Sequence, residues 1–585
     1  MLQFNLKSVM NSLQKTDNNA VRLPRFDMHR LRITVYAVMI GCVLFSATAL
    51  LARATFNATL DWTRVFQGLS SGAGFDVAQD NAGNIYVTGA FANANFDFDD
   101  SAAGKQNPGS IGQDDIFVAK INADGGFVWA RAMGGDNIDE GHGIAVDVNG
   151  SAYTIGNFRQ IAEFNPSAVI SNTDASDAAN LLFPLTTAGA DDVFVSKLDA
   201  AGNFLWAKHF GGEGQDFGSD IALDNIANVY AVGTFNGVVD FDPNPNVVAD
   251  ITGLGNDVFI TSLDSAGNYR WAKHVAGPSS DQGRGIATDS VGSVYVTGYV
   301  QGANVDFDPG SGAAIVNSIN HDLFLLKYSS AGDFMWVRHV PSADSDFGNA
   351  VAVDSNDTIY ITGAYQNTAK FDPDPASADS ITSNGNSDVF IAAYASDGTF
   401  KWARGLGGPE HDEGHAIATD ENNNVYISGQ FQGTVDFDAG LATSLLTSAG
   451  STDAFVLKLD ANGNFASVTQ LGGVGSDIGY GLTAKAAKVV TTGSFEDVVD
   501  FDPDASTALD IQSVGQSDIF VSKMELIGEA AAPVPTPIPT AIPTTAPVVD
   551  PTAAPTDAPV VDPTPAPTAE QSVPIRSVYL PIVTR

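Results

Sequence analysis

The chain has 585 residues, 28 Lys and Arg against 68 Asp and Glu for a formal net charge of −40, and a single cysteine, Cys42. One hydrophobic core does not serve a chain of this length, so an array of small cores is expected, and no internal disulfide can brace it. The charge repels phosphate backbones and argues against nucleic acid; it suits divalent cations, basic ligands or solubility alone.

Residues 1–32 are polar and basic, and an apolar run follows from Ile33 to Ala52. That run is long enough to cross a bilayer, and its basic flank keeps the N-terminus in the cytoplasm and sends the rest outward. Ala47-Thr48-Ala49 and Ala52-Arg53-Ala54 offer small-residue cleavage sites. Residues 1–54 therefore read as a basic stretch followed by a signal peptide or signal-anchor helix at 33–52. The product is expected outside the cell or on its surface, touching membrane only through this segment.

Residues 55–528 are governed by a repeat. Trp62, Trp129, Trp206, Trp271, Trp336 and Trp402 occupy one slot, which Ser467 fills in the last copy, at steps of 67, 77, 65, 65, 66 and 65 residues. Each repeat holds four short runs rich in β-branched and aromatic residues, bounded by Gly, Asn and Asp, and none keeps a helical period. Four strands per repeat make a propeller blade.

The first-strand slot recurs at Val77, Ile144, Ile221, Ile286, Val351, Ile417 and Leu482, giving seven blades. The strand around Trp62 precedes any first strand, and the last blade stops after its third. The expected fold is thus an all-β, seven-bladed propeller, monomeric, in which residues 61–66 complete the final blade and remove the open edges.

Residues 529–573 are rich in Pro, Thr and Ala and read as an extended linker. Residues 574–585 form a short tail, too short to span a membrane.

Gly143-Ile144-Ala145-Val146-Asp147, Asn424-Val425-Tyr426-Ile427-Ser428-Gly429 and the stretch Asp453 to Asn464 carry a resemblance. They are similar to the bacterial β-propeller repeat family called SBBP, over about residues 61–524. The resemblance implies the fold and a bacterial-surface setting, and it names no activity.

Three acidic positions recur. An Asp opens each third strand (Asp115, Asp192, Asp257, Asp322, Asp388, Asp453, Asp518), and another begins Asp-x-Gly (Asp139, Asp216, Asp281, Asp346, Asp412, Asp477), with Gly72 in the remaining copy. The third is Asp-Phe-Asp, with Asp240 and Asp242, Asp306 and Asp308, Asp436 and Asp438, and Asp500 and Asp502 as its regular pairs. Asp in such places accepts backbone N–H bonds in turns. Carboxylates at i and i+2 outside the cell would also suit Ca2+, so both readings stand. Alternation turns the intervening Phe inward and the carboxylates outward.

Function is better sought where the copies differ. The residue after the Gly of Asp-x-Gly should lie near the mouth of the central channel, and reads Phe75, His142, Ser219, Arg284, Asn349, His415 and Tyr480, with Asp76 and Asp220 following in two copies. A ring of unlike polar and aromatic groups can hold a ligand. His209, His274 and His339 fall on the outer strand and are expected on blade surfaces. With no nucleophile elbow, zinc motif or phosphate loop in view, the expected role is a non-catalytic binding or structural module for a surface protein or glycan. The alternative is a polysaccharide-active hydrolase or lyase working through the funnel.

Overall fold

The computed structural model describes residues 58–527, apart from 93–95, 100–106, 111, 168–181, 309–311, 375, 378 and 504–506. The expected segment at 33–52, the linker and the tail lie outside the described residues. All described residues belong to the first of two units, Met1–Ala530 and Ala531–Arg585.

Every regular element among them is a β-strand. Gly72–Gln79, Ile85–Phe91, Asp115–Ile121 and Phe127–Gly135 pair antiparallel in chain order. The same order of four recurs from Glu140, Phe217, Gln282, Phe347 and Glu413. After Ile478–Lys485, Lys488–Phe495 and Asp518–Leu526 the fourth place is taken by the N-terminal strand Ala58–Phe66. Ala58 faces Leu526 and Phe66 faces Ile519. The pairing strand thus begins three residues before the stretch expected from the sequence.

The second and third strands are the most buried, at every residue in Ile85–Phe91, Asp115–Ile121, Val294–Val300 and Asp322–Tyr328. Such strands read as continuous apolar runs because neighbouring sheets cover both faces. One apolar cluster joins Tyr86, Ile116 and Trp129 to Ile144, Phe158 and Phe194 of the next sheet. Another joins Phe66, Ile519 and Val521 of the last sheet to Val77, Ile85 and Phe117 of the first. Each fully buried large side chain contributes about 1.5–3 kcal/mol. The first strands lie beside one another in chain order, and Ile478–Lys485 touches Gly72–Gln79.

Candidate functional site

Each first strand breaks register once. Gly74 faces Gly89 and Asp76 faces Thr88, which leaves Phe75 as an extra, unpaired residue. The same bulge isolates His142, Ser219, Arg284, Asn349, His415 and Tyr480. A bulge re-aims a side chain. The facing glycine makes it sterically allowed, since a β-carbon on Gly89 would lie 2.0 Å from Ala73 O and one on Gly156 1.8 Å from Glu140 O. Those glycine pairs were the sequence signal for the bulge, which reasoning from alternation alone missed.

The seven bulged residues are all half-buried, and contacts link them around the inner strands. Phe75 meets His142 and Tyr480 edge-on at 5.5 Å each, and Tyr480 meets His415 at 5.4 Å. His142 Nδ1–H donates to Gly218 O at 2.8 Å, one residue before Ser219. Between neighbouring first strands Arg284 donates to Asn349 Oδ1 at 2.6 Å, and Asn349 donates to Glu413 Oε1 and Gly414 O at 2.8 and 2.9 Å. The Arg284 guanidinium lies 5.0 Å from the Tyr299 ring and 5.1 Å from that of Phe347. One arc is thus aromatic and the other charged.

Burial acts to raise the Glu413 carboxyl, but His411, His415 and Asn349 overcome it and hold it at about 2. Burial keeps His415 below the usual imidazole range, and its Nε2 has no hydrogen-bond partner. Asp76 and Asp220 form a layer next to the bulged residues, where Gly143, Gly285, Ala350, Ala416 and Gly481 fill the other places. Asp76 Oδ2 accepts from Ile144 N at 2.8 Å and Asp220 Oδ2 from Ile286 N at 2.9 Å, each on the following sheet. Burial, then the charge of Asp220, pushes Asp76 well up; burial pushes Asp220 to about 7.

The Asp-Phe-Asp carboxylates do turn chemistry. Asp240 Oδ1 accepts from Asp242 N and Ala249 N, Asp306 Oδ1 from Asp308 N and Ala314 N, Asp436 Oδ1 from Asp438 N and Ser444 N, and Asp500 Oδ1 from Asp502 N and Leu509 N. Glu163 does the same in its copy, accepting from Asn165 N and Phe183 N. The intervening Phe is buried in all seven copies. Among the described residues no group of three or more His, Cys, Asp or Glu is placed to hold a metal ion.

The other two acidic positions come together at the seams between sheets. Asp216 N donates to Asp191 O, just before Asp192, while its carboxylate accepts from Gly212 N and from Asn236 N of the next sheet. Corresponding links hold Asp139, Asp281, Asp346, Asp412 and Asp477.

The histidines of the outer strands differ from expectation. They are half-buried, because His209 and His274 pack edge-on against Phe158 and Phe235, and His339 Nε2 reaches Asp322 Oδ2 at 2.7 Å. Sequence spacing gave no hint of a further alignment, in which Ser387 Oγ bonds His411 Nδ1 and His411 Nε2 lies 3.2 Å from Glu413 Oε2.

Residues 270–304 and 401–430 match the family model of the SBBP beta-propeller repeat. The chain carries SBBP propeller repeats. Both matched stretches start in a fourth strand and run through the first strand of the following sheet into or just past its second, so sequence repeat and sheet are out of phase. The chain is similar to an uncharacterized WD repeat-containing protein of Acanthamoeba polyphaga mimivirus, 24% identical over 483 residues, covering 70% of this chain and 34% of that one. It is also similar to the regulatory protein FlaEY of Caulobacter vibrioides, 26% identical over 186 residues, covering 31% and 18%. The chain thus spans about a third or less of the length of these curated relatives. Among solved structures, a phage phi92 endosialidase aligns over 83% of this chain and 72% of its own at 11% identity and TM-score 0.33. A protein of unknown function from Bacteroides caccae aligns over 47% and 89% at 6% identity and TM-score 0.24. Scores that low carry no argument about fold or activity.

Proposed function

We propose that this propeller-repeat chain is a seven-bladed ring, exported to the cell surface, whose bulge-lined annulus binds a glycan or protein partner without chemical turnover. The observation that carries the reading is that the residue each bulge re-aims is also the residue in which the copies differ. Blade building calls for a glycine before the bulge and another facing it on the second strand, and leaves the bulged side chain itself unconstrained. Export rests on the apolar run at 33–52.

The two arcs of the annulus complement each other chemically. Tyr480, Phe75 and His142 suit the apolar face of a sugar ring or an apolar side chain, while Arg284, Asn349 and Glu413 suit hydroxyl or peptide groups. The test is a screen of the full chain on arrays of cell-wall polysaccharides and bacterial surface proteins. Arg284→Ala and Tyr480→Ala should each weaken a hit at least about tenfold, roughly 1.4 kcal/mol, with unchanged melting. Equal binding by wild type and both variants would remove the annulus as the site.

A second reading is favoured by the Ser387, His411 and Glu413 alignment, which orders hydroxyl, imidazole and carboxylate as in an ester-cleaving hydrolase. Against it, His321 Nδ1 bonds Ser345 Oγ at 3.1 Å and Asn256 lies 3.4 Å from Ser280 Oγ, linking the same loops in neighbouring copies. Labelling of Ser387 by a fluorophosphonate, lost in His411→Ala, would favour turnover, on an esterified polysaccharide for example; no labelling leaves a cross-loop tie.

A further inference from the structure

We propose that five carboxyl pairs at the seams between sheets, Asp192/Asp216, Asp257/Asp281, Asp322/Asp346, Asp388/Asp412 and Asp453/Asp477, each hold one shared proton in mildly acidic solution and so clamp each sheet to the next. In every pair the first Asp lies in a third strand, within it at Asp192 and Asp257 and at its start in the other three, and the second lies in the loop to the following sheet. None of these residues is more than 1% exposed.

Each pair contains a buried carboxyl oxygen with no hydrogen-bond donor. These oxygens are Asp192 Oδ1, Asp257 Oδ1, Asp281 Oδ2, Asp346 Oδ2, Asp388 Oδ1 and Asp453 Oδ1. A buried carboxylate oxygen without a donor is costly, and two carboxylates at one buried site do not both ionise. A proton bound to one carboxyl and donated to the other removes both costs at once.

The seam between the last sheet and the first is an internal control. There Gly72 stands where the second Asp would be, and Asp518 has both oxygens bonded, Oδ1 to Gly68 N at 3.0 Å and Oδ2 to Val514 N at 2.6 Å. An orphaned oxygen accompanies a second carboxyl and is missing from the seam that lacks one.

The surroundings suit a proton better than a metal ion. The groups converging on the pairs are mainly backbone N–H donors, as Leu254 N is to Asp257 and Gly408 N to Asp412, and these repel a cation. Charged and titratable neighbours are few. Asp191, itself paired with Arg159, faces Asp192 and Asp216; Tyr299 faces Asp281. His321 and His339 face Asp322, Asp344 faces Asp346, and Tyr365 faces Asp346 and Asp388. His411 and Glu410 face Asp412, and Glu496 faces Asp477.

The titration behaviour agrees. Burial first, then the partner's charge, pushes Asp192, Asp281, Asp346 and Asp477 up to about 7 and Asp388 to about 6; burial alone pushes Asp257 to about 6. These folded values lie above an unfolded value of about 3.9, so the folded chain binds protons more tightly. The associated stability is complete below about pH 4 and is lost as pH rises through 6 to 7.

The experiment is thermal unfolding of the full chain from pH 5 to 8.5 with chelator present, alongside Asp281→Asn. Asn keeps an oxygen for Gln301 N and offers Asp257 an N–H where the proton sat. Wild type should lose melting temperature as pH rises from about 5.5 to 8, and the variant should melt no lower at pH 8 with a shallower pH dependence. A flat wild-type profile would overturn the proposal, as would a variant less stable at pH 8 with an unchanged slope. A rise in melting on adding Ca2+ at fixed pH 8 would overturn it in favour of metal sites. Should the variant not fold, difference infrared spectroscopy of wild type decides. A carboxylic-acid carbonyl band at pH 6 larger than Asp76 and Asp220 alone supply is expected, and a band no larger than theirs sinks the idea.

Discussion

Trp62 donates its indole N–H to Ala123 O at 3.3 Å, reaching from the N-terminal strand to the hairpin turn of the first complete sheet. Trp129 reaches Ala200 O, Trp206 Ser265 O, Trp271 Ser330 O, Trp336 Ser396 O and Trp402 Ala461 O in the same way. Each indole therefore caps the turn of the next sheet. The sheet after Ser467 is built from both chain ends and has no turn between its third and fourth strands, so nothing is there to cap.

Removing a cap should be expensive. Trp129→Ala is expected to cost about 3–5 kcal/mol in chemical denaturation, as large-to-small core changes do. Gly202 sits under that indole with φ +78°, so Gly202→Ala should cost more than about 1 kcal/mol. Ser467→Trp should bring no gain. A stabilised Ser467→Trp would contradict the capping account.

Deleting Ala58–Phe66 exposes the edge of Asp518–Leu526 along its length and should convert the chain to an aggregating or oligomeric product, followed by size-exclusion chromatography. A monomeric truncated chain with unchanged melting would show that ring closure contributes nothing.

Turn chemistry predicts a specific order at Asp306. Asp306→Asn keeps the oxygen that accepts from Asp308 N and Ala314 N and should be nearly neutral, while Asp306→Ala loses both bonds, about 0.5–1.5 kcal/mol each. Chelator should leave melting unchanged at fixed pH. Strong calcium dependence abolished by both substitutions would return this residue to metal binding.

His411 and Glu413 stabilise one another over a defined window. The hydrogen bond to Glu413 raises the His411 imidazole above 6.5, so its share of stability is complete below 6.5 and fades as pH rises through the folded value. Glu413 is held down at about 2 from 4.5, so its share is complete above 4.5 and fades only as pH falls toward 2. The pair therefore acts most fully between pH 4.5 and 6.5. In Glu413→Gln the His411 titration, followed by NMR, should move down; an unmoved titration would uncouple the two.

The repeat spacing, the strand order and the Trp slot were legible because each sheet reuses one pattern of β-branched runs and turn residues. The inward Phe of Asp-Phe-Asp followed from alternation in the same way. The bulge at Phe75 and its six counterparts was not, since alternation assumes paired strands and the Gly74 and Gly89 pair carries the departure. Nor could spacing show that Asp257 and Asp281, from separate segments, meet at one seam. His339 was misplaced because its strand is an edge, yet its ring turns back to Asp322.

On the proposed function, a repeated skeleton builds the sheets and the non-repeating bulged residues recognise a partner. The direct test is one levelled variant, in which Phe75, His142, Arg284, Asn349, His415 and Tyr480 are all replaced by Ser, the residue already present at Ser219. Its circular dichroism spectrum should remain that of the folded wild type while binding on the polysaccharide and protein arrays disappears. A folded levelled variant that still binds as wild type does would contradict the claim that the annulus carries function.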